Sequence, residues 1–197
     1  GYKTVFSGES EQFYASGNAL LFAYLLAVVA VYLVLAAQFE SFLHPITILV
    51  AVALSFTGAL VTLLAVGATL NLFSQIGLVM LVGLVTKNSI LIVEFANQLR
   101  EQGMAPRDAV FEASRIRFRP ILMTALATMA GILPIAIGSG AGGESRAPLG
   151  IAVVGGVGFS TALTFIVVPA VYLVFANLSQ RLARRAEPRR AREDLAP

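Results

Sequence analysis

The sequence predicts an all-α membrane protein, a bundle of five transmembrane helices. Hydrophobic residues make up 57% of the 197 residues, charged residues only 13%, and the mean hydropathy is +0.82. Soluble domains are usually about 45 to 50% apolar and roughly 25% charged. Several apolar runs also exceed the roughly 18 residues that mark a candidate transmembrane helix, and short polar or glycine-rich stretches separate them. A soluble globular domain is therefore excluded.

The apolar runs define the domain organisation. Each is long enough, at about 1.5 Å per residue, to cross a hydrocarbon core of about 30 Å. We predict spans at about 18–38, 44–66, 72–97, 120–138 and 149–175. Together they form a transmembrane domain over residues 18–175. Residues 1–17 are expected to be the end of a preceding domain with its lead-in, and residues 176–197 a basic tail.

Lysine and arginine in the connections predict how the helices are oriented, because positively charged loops stay in the cytoplasm. With five spans, one side of the membrane carries only Lys3 and Arg146. The other side carries eleven arginines, which are Arg100, Arg107, Arg115, Arg117, Arg119, Arg181, Arg184, Arg185, Arg189, Arg190 and Arg192. We therefore expect the N-terminus outside the cytoplasm and the tail inside it. Beside five apolar spans, the arginines are explained by topology and anionic lipid, so no nucleic-acid partner is expected.

A short amphipathic helix is expected at about 106–116, in the long cytoplasmic loop. Pro106 suits the first helical position, and Glu112 and Arg115 are spaced for an i,i+3 ion pair. The apolar stripe of this segment consists of Ala109, Val110, Ala113 and Ile116. Such a pattern is typical of a helix that lies along the membrane surface.

No metal site is expected, because the sequence has no cysteine and its one histidine, His44, cannot bind a metal alone.

Lys87 is the most informative residue, since it lies inside the third span, GLVMLVGLVTKNSILIVEFANQL. Nine residues separate it from Asn97 near the cytoplasmic end, a depth on the order of 14 Å. A charge at that depth costs roughly 3 kcal/mol or more and usually marks an ion or proton path. The alternative is a structural salt bridge. Glu94, the one acid within a span, is about 10 Å away along the helix and near its end, so we expect the counter-charge on helices outside these residues.

Two threonines in the fourth span are further candidates. Thr124 lies one turn after Pro120, and Thr128 follows one turn later on the same face. A hydroxyl both donates and accepts, so Thr124 could relay a proton or hold a water if the third and fourth helices pack together. The alternative is a hydroxyl that bonds only to its own preceding turn.

Four stretches of the sequence resemble the RND efflux transporters, in particular the branch that exports hydrophobic and amphiphilic compounds. They are LAAQFESFLHPITILV (35–50), GLVTKNSILIVEFA (83–96), RFRPILMTALA (117–127) and GIAVVGGVGFSTALTFIVVPAVY (150–172). Their order and spacing are similar to those of that family's last five transmembrane helices. Ser89 departs from the pattern, since alanine is common there.

The resemblance implies the C-terminal part of a twelve-helix drug/proton antiporter in the bacterial inner membrane. It implies a homotrimer with large periplasmic domains and an N-terminus in the periplasm. The implied partners are a periplasmic adaptor protein and an outer-membrane channel. The proton is the coupling ion, no other cofactor is implied, and the substrate sites lie outside this sequence. The relay implied by the resemblance uses residues that match Lys87, Thr124 and Arg117, with Asn88, Glu94 and Thr128 as possible supporting residues.

Two other functions remain open at the level of the sequence. One is a non-transporting accessory or assembly subunit in which Lys87 pairs with a partner protein. The other is an RND member with another cargo, either a metal ion or a secreted protein. Soft-metal export would favour clustered methionines, but Met80, Met104, Met123 and Met129 are scattered.

Overall fold

The computed structural model describes residues 9–42 and 44–193, with side chains at residues 17, 19–42 and 45–176. This part of the chain is helical throughout, apart from short connections. The helices are α1 (Glu9–Phe39), α2 (His44–Val66), α3 (Leu72–Glu101), α4 (Pro106–Ala136) and α5 (Gly143–Glu193). All five are long and apolar enough to cross a membrane. The predicted all-α bundle of five membrane helices is confirmed.

The ends of the helices follow from local sequence. Asn71 caps α3: its Oδ1 accepts a hydrogen bond from the Ser74 backbone N–H at 2.9 Å, and Ser74 Oγ accepts one from the Asn71 N–H, also at 2.9 Å. Gly67 directly follows α2, and Gly103 follows α3 after the C-cap residue Gln102, with φ values of +70° and +93°. Glycine enters this left-handed region without a steric penalty, so both helices stop there.

The structure differs from the predicted boundaries in the fourth helix. The segments expected at 106–116 and 120–138 form one continuous helix, α4, which passes through Pro120. A proline removes a single backbone donor, and α4 continues through this one although Pro120 is exposed. Most of the predicted apolar stripe packs against protein rather than lying on the membrane surface: Ala109, Val110 and Ala113 are fully buried, whereas Ile116 is 47% exposed.

The remaining boundary differences lie at helix ends. α1 begins at Glu9 rather than near residue 18, α3 extends to Glu101, and α5 runs from Gly143 through most of the predicted tail to Glu193. Residues 1–8 and 194–197, the outermost parts of the predicted lead-in and tail, lie outside the described residues.

α3 and α5 form the centre of the bundle. α3 contacts each of the other four helices and α5 contacts α2, α3 and α4, whereas in the described part of the chain α1 contacts only α2 and α3. Close approach depends on small residues: a Cβ on Gly150 would lie 2.4 Å from the backbone nitrogen of Ala136. Small residues at helical spacing are buried in both α2 and α5, and they are Ala51, Ser55, Ala59, Ala152, Gly156, Ser160 and Thr164. Such faces allow helices to associate tightly in lipid.

α3 and α5 run parallel in a constant register. Near one end, Gly156 lies against Leu81, whose Cδ1 would be 2.4 Å from a Cβ on the glycine. Near the other end, the Tyr172 hydroxyl donates to Asn97 Oδ1 at 2.6 Å. Both pairs are separated by 75 residues in the chain. Each residue of α3 is therefore level with the residue of α5 that lies 75 positions later.

Candidate functional site

Lys87 lies midway along α3 on the outer surface of the bundle. Its side chain is exposed, although Thr86, Asn88 and Ser89 beside it are 5%, 5% and 0% exposed. Among the side chains that the structure describes, no carboxylate oxygen comes within 4.0 Å of the Lys87 ammonium, and Lys87 makes no hydrogen bond. The five helices therefore present an unpaired cation at mid-span, directed away from their own core.

Glu94 does not serve as the missing counter-charge within this bundle. It lies seven positions after Lys87 on the same face of α3, about 10 Å along the axis. Its side chain is half-buried and lines an open polar cavity of about 380 Å³ at the C-terminal end of α3. The other residues that line this cavity are Gln38, Phe39, Glu40, Asn97, Gln98 and Glu101. Glu94 therefore belongs to the end of the helix and not to the layer of Lys87.

Thr124 lies at the depth of Lys87. The Arg117 guanidinium carbon lies 4.6 Å from the centroid of the Phe95 ring, which sets the register between α4 and α3. Lys87 precedes Phe95 by eight residues on α3, and Thr124 follows Arg117 by seven residues on α4. Because the two helices are antiparallel, both residues lie on the same side of the Arg117–Phe95 contact. These separations correspond to about 12 Å and about 10 Å in antiparallel helices, so the two residues share one layer of the membrane.

The hydroxyl groups of Thr124 and Thr128 bond to their own helix. Thr124 Oγ1 donates to the Ile121 carbonyl at 3.0 Å, and Thr128 Oγ1 donates to the Thr124 carbonyl at 2.8 Å. The side chain of Thr124 is nevertheless exposed on the outer surface of α4. Because its proton is used within the helix, its oxygen lone pairs remain free to accept a hydrogen bond from an ammonium group or a water.

The structure does not bring Arg117 into the Lys87 layer. Arg117 stacks on Phe95, one residue after Glu94 and about 12 Å from Lys87 along the axis. Its Nε is buried and has no hydrogen-bond partner among the described residues. The contact is a cation–π interaction that holds α4 against α3. Nearby, the rings of Phe118 and Phe165 pack at 4.9 Å and hold α4 against α5.

Sequence reasoning missed a polar junction at the C-terminal end of α3. Arg100 Nη1 donates to the Tyr172 hydroxyl at 3.2 Å, and that hydroxyl donates to Asn97 Oδ1. Tyr172 is 1% exposed, so the junction ties α5 to α3 from within the bundle. The one signal in the sequence was a tyrosine in an apolar run, since a buried tyrosine hydroxyl usually finds a partner.

Comparison with known families gives one match that covers nearly the whole chain. The model of the AcrB/AcrD/AcrF family matches residues 1–176. The matched range includes Lys87, Arg117 and Thr124 and every membrane span that the structure describes.

Proposed function

The chain belongs to the AcrB/AcrD/AcrF family of RND permeases, and from that premise we propose that it is the C-terminal transmembrane part of a proton-driven efflux transporter. The cargo that we propose is the class of hydrophobic or amphiphilic compounds. Lys87 carries the proposed proton coupling. The observation behind this assignment is its exposed, unpaired position in the middle of α3.

An unpaired lysine at this depth requires a partner from outside the five helices. A charged side chain at the centre of a bilayer costs roughly 3 kcal/mol or more when nothing compensates it. Nine residues separate Lys87 from Asn97, so its side chain is too deep to extend to the membrane surface. A carboxylate on a neighbouring helix compensates the charge and also titrates. We propose that such a helix covers the surface formed by Lys87 and Thr124.

Protonation of that carboxylate would switch the packing of α3. The ionised acid pairs with Lys87, and the cation in turn favours the ionised form of the acid. Once the acid binds a proton, the attraction is lost and Lys87 can turn toward the acceptor oxygen of Thr124 in the same layer. The two arrangements differ in charge, so a proton gradient biases the equilibrium between them.

The proposed setting is a bacterial inner membrane, with lipid around the bundle and the rest of the transporter against its exposed faces. A homotrimer that works with a periplasmic adaptor protein and an outer-membrane channel is the assembly in which we expect this part to act. The proton is the coupling ion in this proposal.

The proposed topology predicts opposite locations for two points of the chain. Reporter proteins fused after Ala141 and after Leu182 should report the periplasm and the cytoplasm respectively, because eleven arginines lie on one side of the spans and two basic residues on the other. Fusions that report the same compartment would refute this topology.

Thr124→Ala should reduce efflux partially, by roughly three- to tenfold in the complete transporter. The loss is partial because a water replaces a hydroxyl acceptor at little cost in enthalpy. The matched control is Thr128→Ala, which removes a hydroxyl that also bonds to its own helix but lies one turn farther along α4. Initial rates of dye efflux should be normalised to transporter abundance. Equal effects of the two substitutions would remove Thr124 from the proposed relay.

A further inference from the structure

Three hydroxyl groups inside the bundle make no hydrogen bond within the described residues: Ser89 Oγ on α3, and Thr161 Oγ1 and Thr164 Oγ1 on α5. Their side chains are 0%, 5% and 1% exposed. Serine and threonine in membrane helices ordinarily bond to a carbonyl in their own preceding turn. Ser55 and Ser160 do so here, with Ser55 Oγ donating to the Val52 carbonyl at 2.6 Å and Ser160 Oγ to the Val157 carbonyl at 3.1 Å.

The three hydroxyls lie at one depth. In the parallel register of α3 and α5, Ser89 is level with Thr164, because 75 positions separate them, as they separate Asn97 and Tyr172. Thr161 precedes Thr164 by three residues, about 4.5 Å along the axis. A fourth unpartnered hydroxyl, that of Thr47 on α2, lies outside this layer. Gly58 and Thr62 of α2 lie against Phe159 and Gly155 of α5, so Thr47 is level with residue 170, about 9 Å beyond Thr164.

The three hydroxyls lie at the depth of Lys87. Ser89 is on the side of α3 opposite to Lys87. Lys87 is exposed on the outer side of α3, whereas Asn88 and Ser89 are 5% and 0% exposed. A buried polar group without a partner costs free energy, and buried polar groups in folded proteins therefore bind either protein or an ordered water. Three orphaned hydroxyls at one depth therefore each need a partner that the described residues do not supply.

The chemistry of the three hydroxyls selects water as that partner. A cation would be repelled by Lys87 at the same depth, and in the described part of the chain no carboxylate lies in this layer to compensate it. An anion would be attracted to the opposite, exposed side of α3. Water is neutral, and it donates to and accepts from hydroxyls, which themselves do both. Thr161 lies on the face of α5 that carries Gly150 and Phe165, both of which pack against α4. We propose that the junction of α3, α4 and α5 holds ordered internal water on Ser89, Thr161 and Thr164.

Water at this place gives α3 freedom to move against α5. A direct hydrogen bond between the two helices would allow one relative position, whereas a water can exchange partners among the three hydroxyls as the helices shift. The Tyr172 hydroxyl and Asn97 fix the two helices to each other nearer their C-terminal ends. The hydrated layer therefore lies where movement of Lys87 has to be accommodated.

The test is X-ray radiolytic labelling of the complete transporter in lipid, read by mass spectrometry. Radicals generated from a bound water modify side chains near it, so the readout is Ile92, one turn after Ser89 on α3, and Phe165, the residue after Thr164 on α5. We expect labelling of these residues in the wild-type protein and at least a threefold loss in the double variant Ser89→Ala/Thr164→Val. The matched control Thr62→Val/Ser114→Ala removes two hydroxyls that bond within their own helices outside this layer and should leave labelling unchanged.

Thermal stability gives an independent measurement on the same variants. Valine has the shape of threonine, so Thr164→Val lowers the melting temperature by a few degrees if it removes a partner of a bound water. It raises the melting temperature if the hydroxyl is dry, because an unsatisfied polar group has then been deleted. The proposal would be overturned if labelling of the wild-type protein were no higher than background. A higher melting temperature for Thr164→Val would overturn it as well. Neither result depends on whether Lys87 couples transport to protons.

Discussion

Replacement of Lys87 by methionine should abolish proton-coupled efflux in the complete transporter, while expression and assembly stay close to normal. Methionine keeps an unbranched apolar stem of similar length but removes the charge. Without the charge, binding of a proton to the partner acid no longer changes the packing of α3, so efflux should fall to the background of cells that lack the transporter. Efflux of a fluorescent dye and oligomeric state should be measured on the same preparations.

The matched control is Gln98→Met, another polar side chain on the exposed face of α3 that carries no charge. It should retain most of the efflux activity. Near-normal efflux by Lys87→Met would show that the charge is dispensable. Loss of efflux together with loss of assembly would instead support the structural salt bridge that the sequence left open.

Gly150→Ala should strongly destabilise the packing of α5 against α4. A Cβ at Gly150 would lie 2.4 Å from the Ala136 nitrogen and 2.6 Å from its Cα, and backbone atoms of a helix cannot move aside independently. Overpacking of this kind costs about 1 to 3 kcal/mol, which corresponds to a fall in melting temperature of roughly 2 to 10 °C. The measurement is thermal unfolding of the purified protein in detergent.

Gly158→Ala is the control on the same helix. The new Cβ would lie 3.5 Å from Met129 Sδ, which is an ordinary van der Waals contact. Alanine is also favoured over glycine inside a helix by roughly 0.5 to 1 kcal/mol, so the melting temperature should stay level or rise slightly. Equal melting temperatures for the two variants would contradict the close approach of α4 and α5.

The sequence predicts the number and type of the helices because the length of an apolar run is a local property of the sequence. Its predictions fail where a boundary depends on tertiary contacts. The stripe from Ala109 to Ala113 carries the pattern of a surface helix, yet it is buried because Arg117 packs on Phe95 and Phe118 packs on Phe165 nearby. The ion pair predicted between Glu112 and Arg115 is present at 3.8 Å, with 81% of the Arg115 side chain exposed. A pair so exposed contributes little to stability.

The candidate site also has features that the sequence predicts and features that depend on tertiary contacts. The depth of Lys87 follows from counting residues along one helix, and its lack of a partner acid follows from the list of carboxylates in the sequence. The levels of Thr124 and Arg117 relative to Lys87 depend on how α4 packs against α3. Only the structure shows that Thr124 shares the layer of Lys87, whereas Arg117 lies about 12 Å away.

The unpartnered hydroxyls could not be predicted from the sequence. Ser89, Ser160 and Thr164 are equally suited to bond to their own helix, and only Ser160 does so. Which hydroxyl stays without a partner depends on side-chain orientation where α5 packs against its neighbours, and no local pattern encodes that orientation.

Proton antiport in proteoliposomes tests the role of Lys87 most directly. The complete transporter should be reconstituted with a pH-sensitive dye inside the vesicles, under an imposed pH gradient, and substrate should then be added. The wild-type protein should exchange protons for substrate, and correctly assembled Lys87→Met should produce no substrate-dependent proton flux above that of empty vesicles. Substrate-dependent proton flux by Lys87→Met at the wild-type rate would contradict the assignment of Lys87 to the proton path.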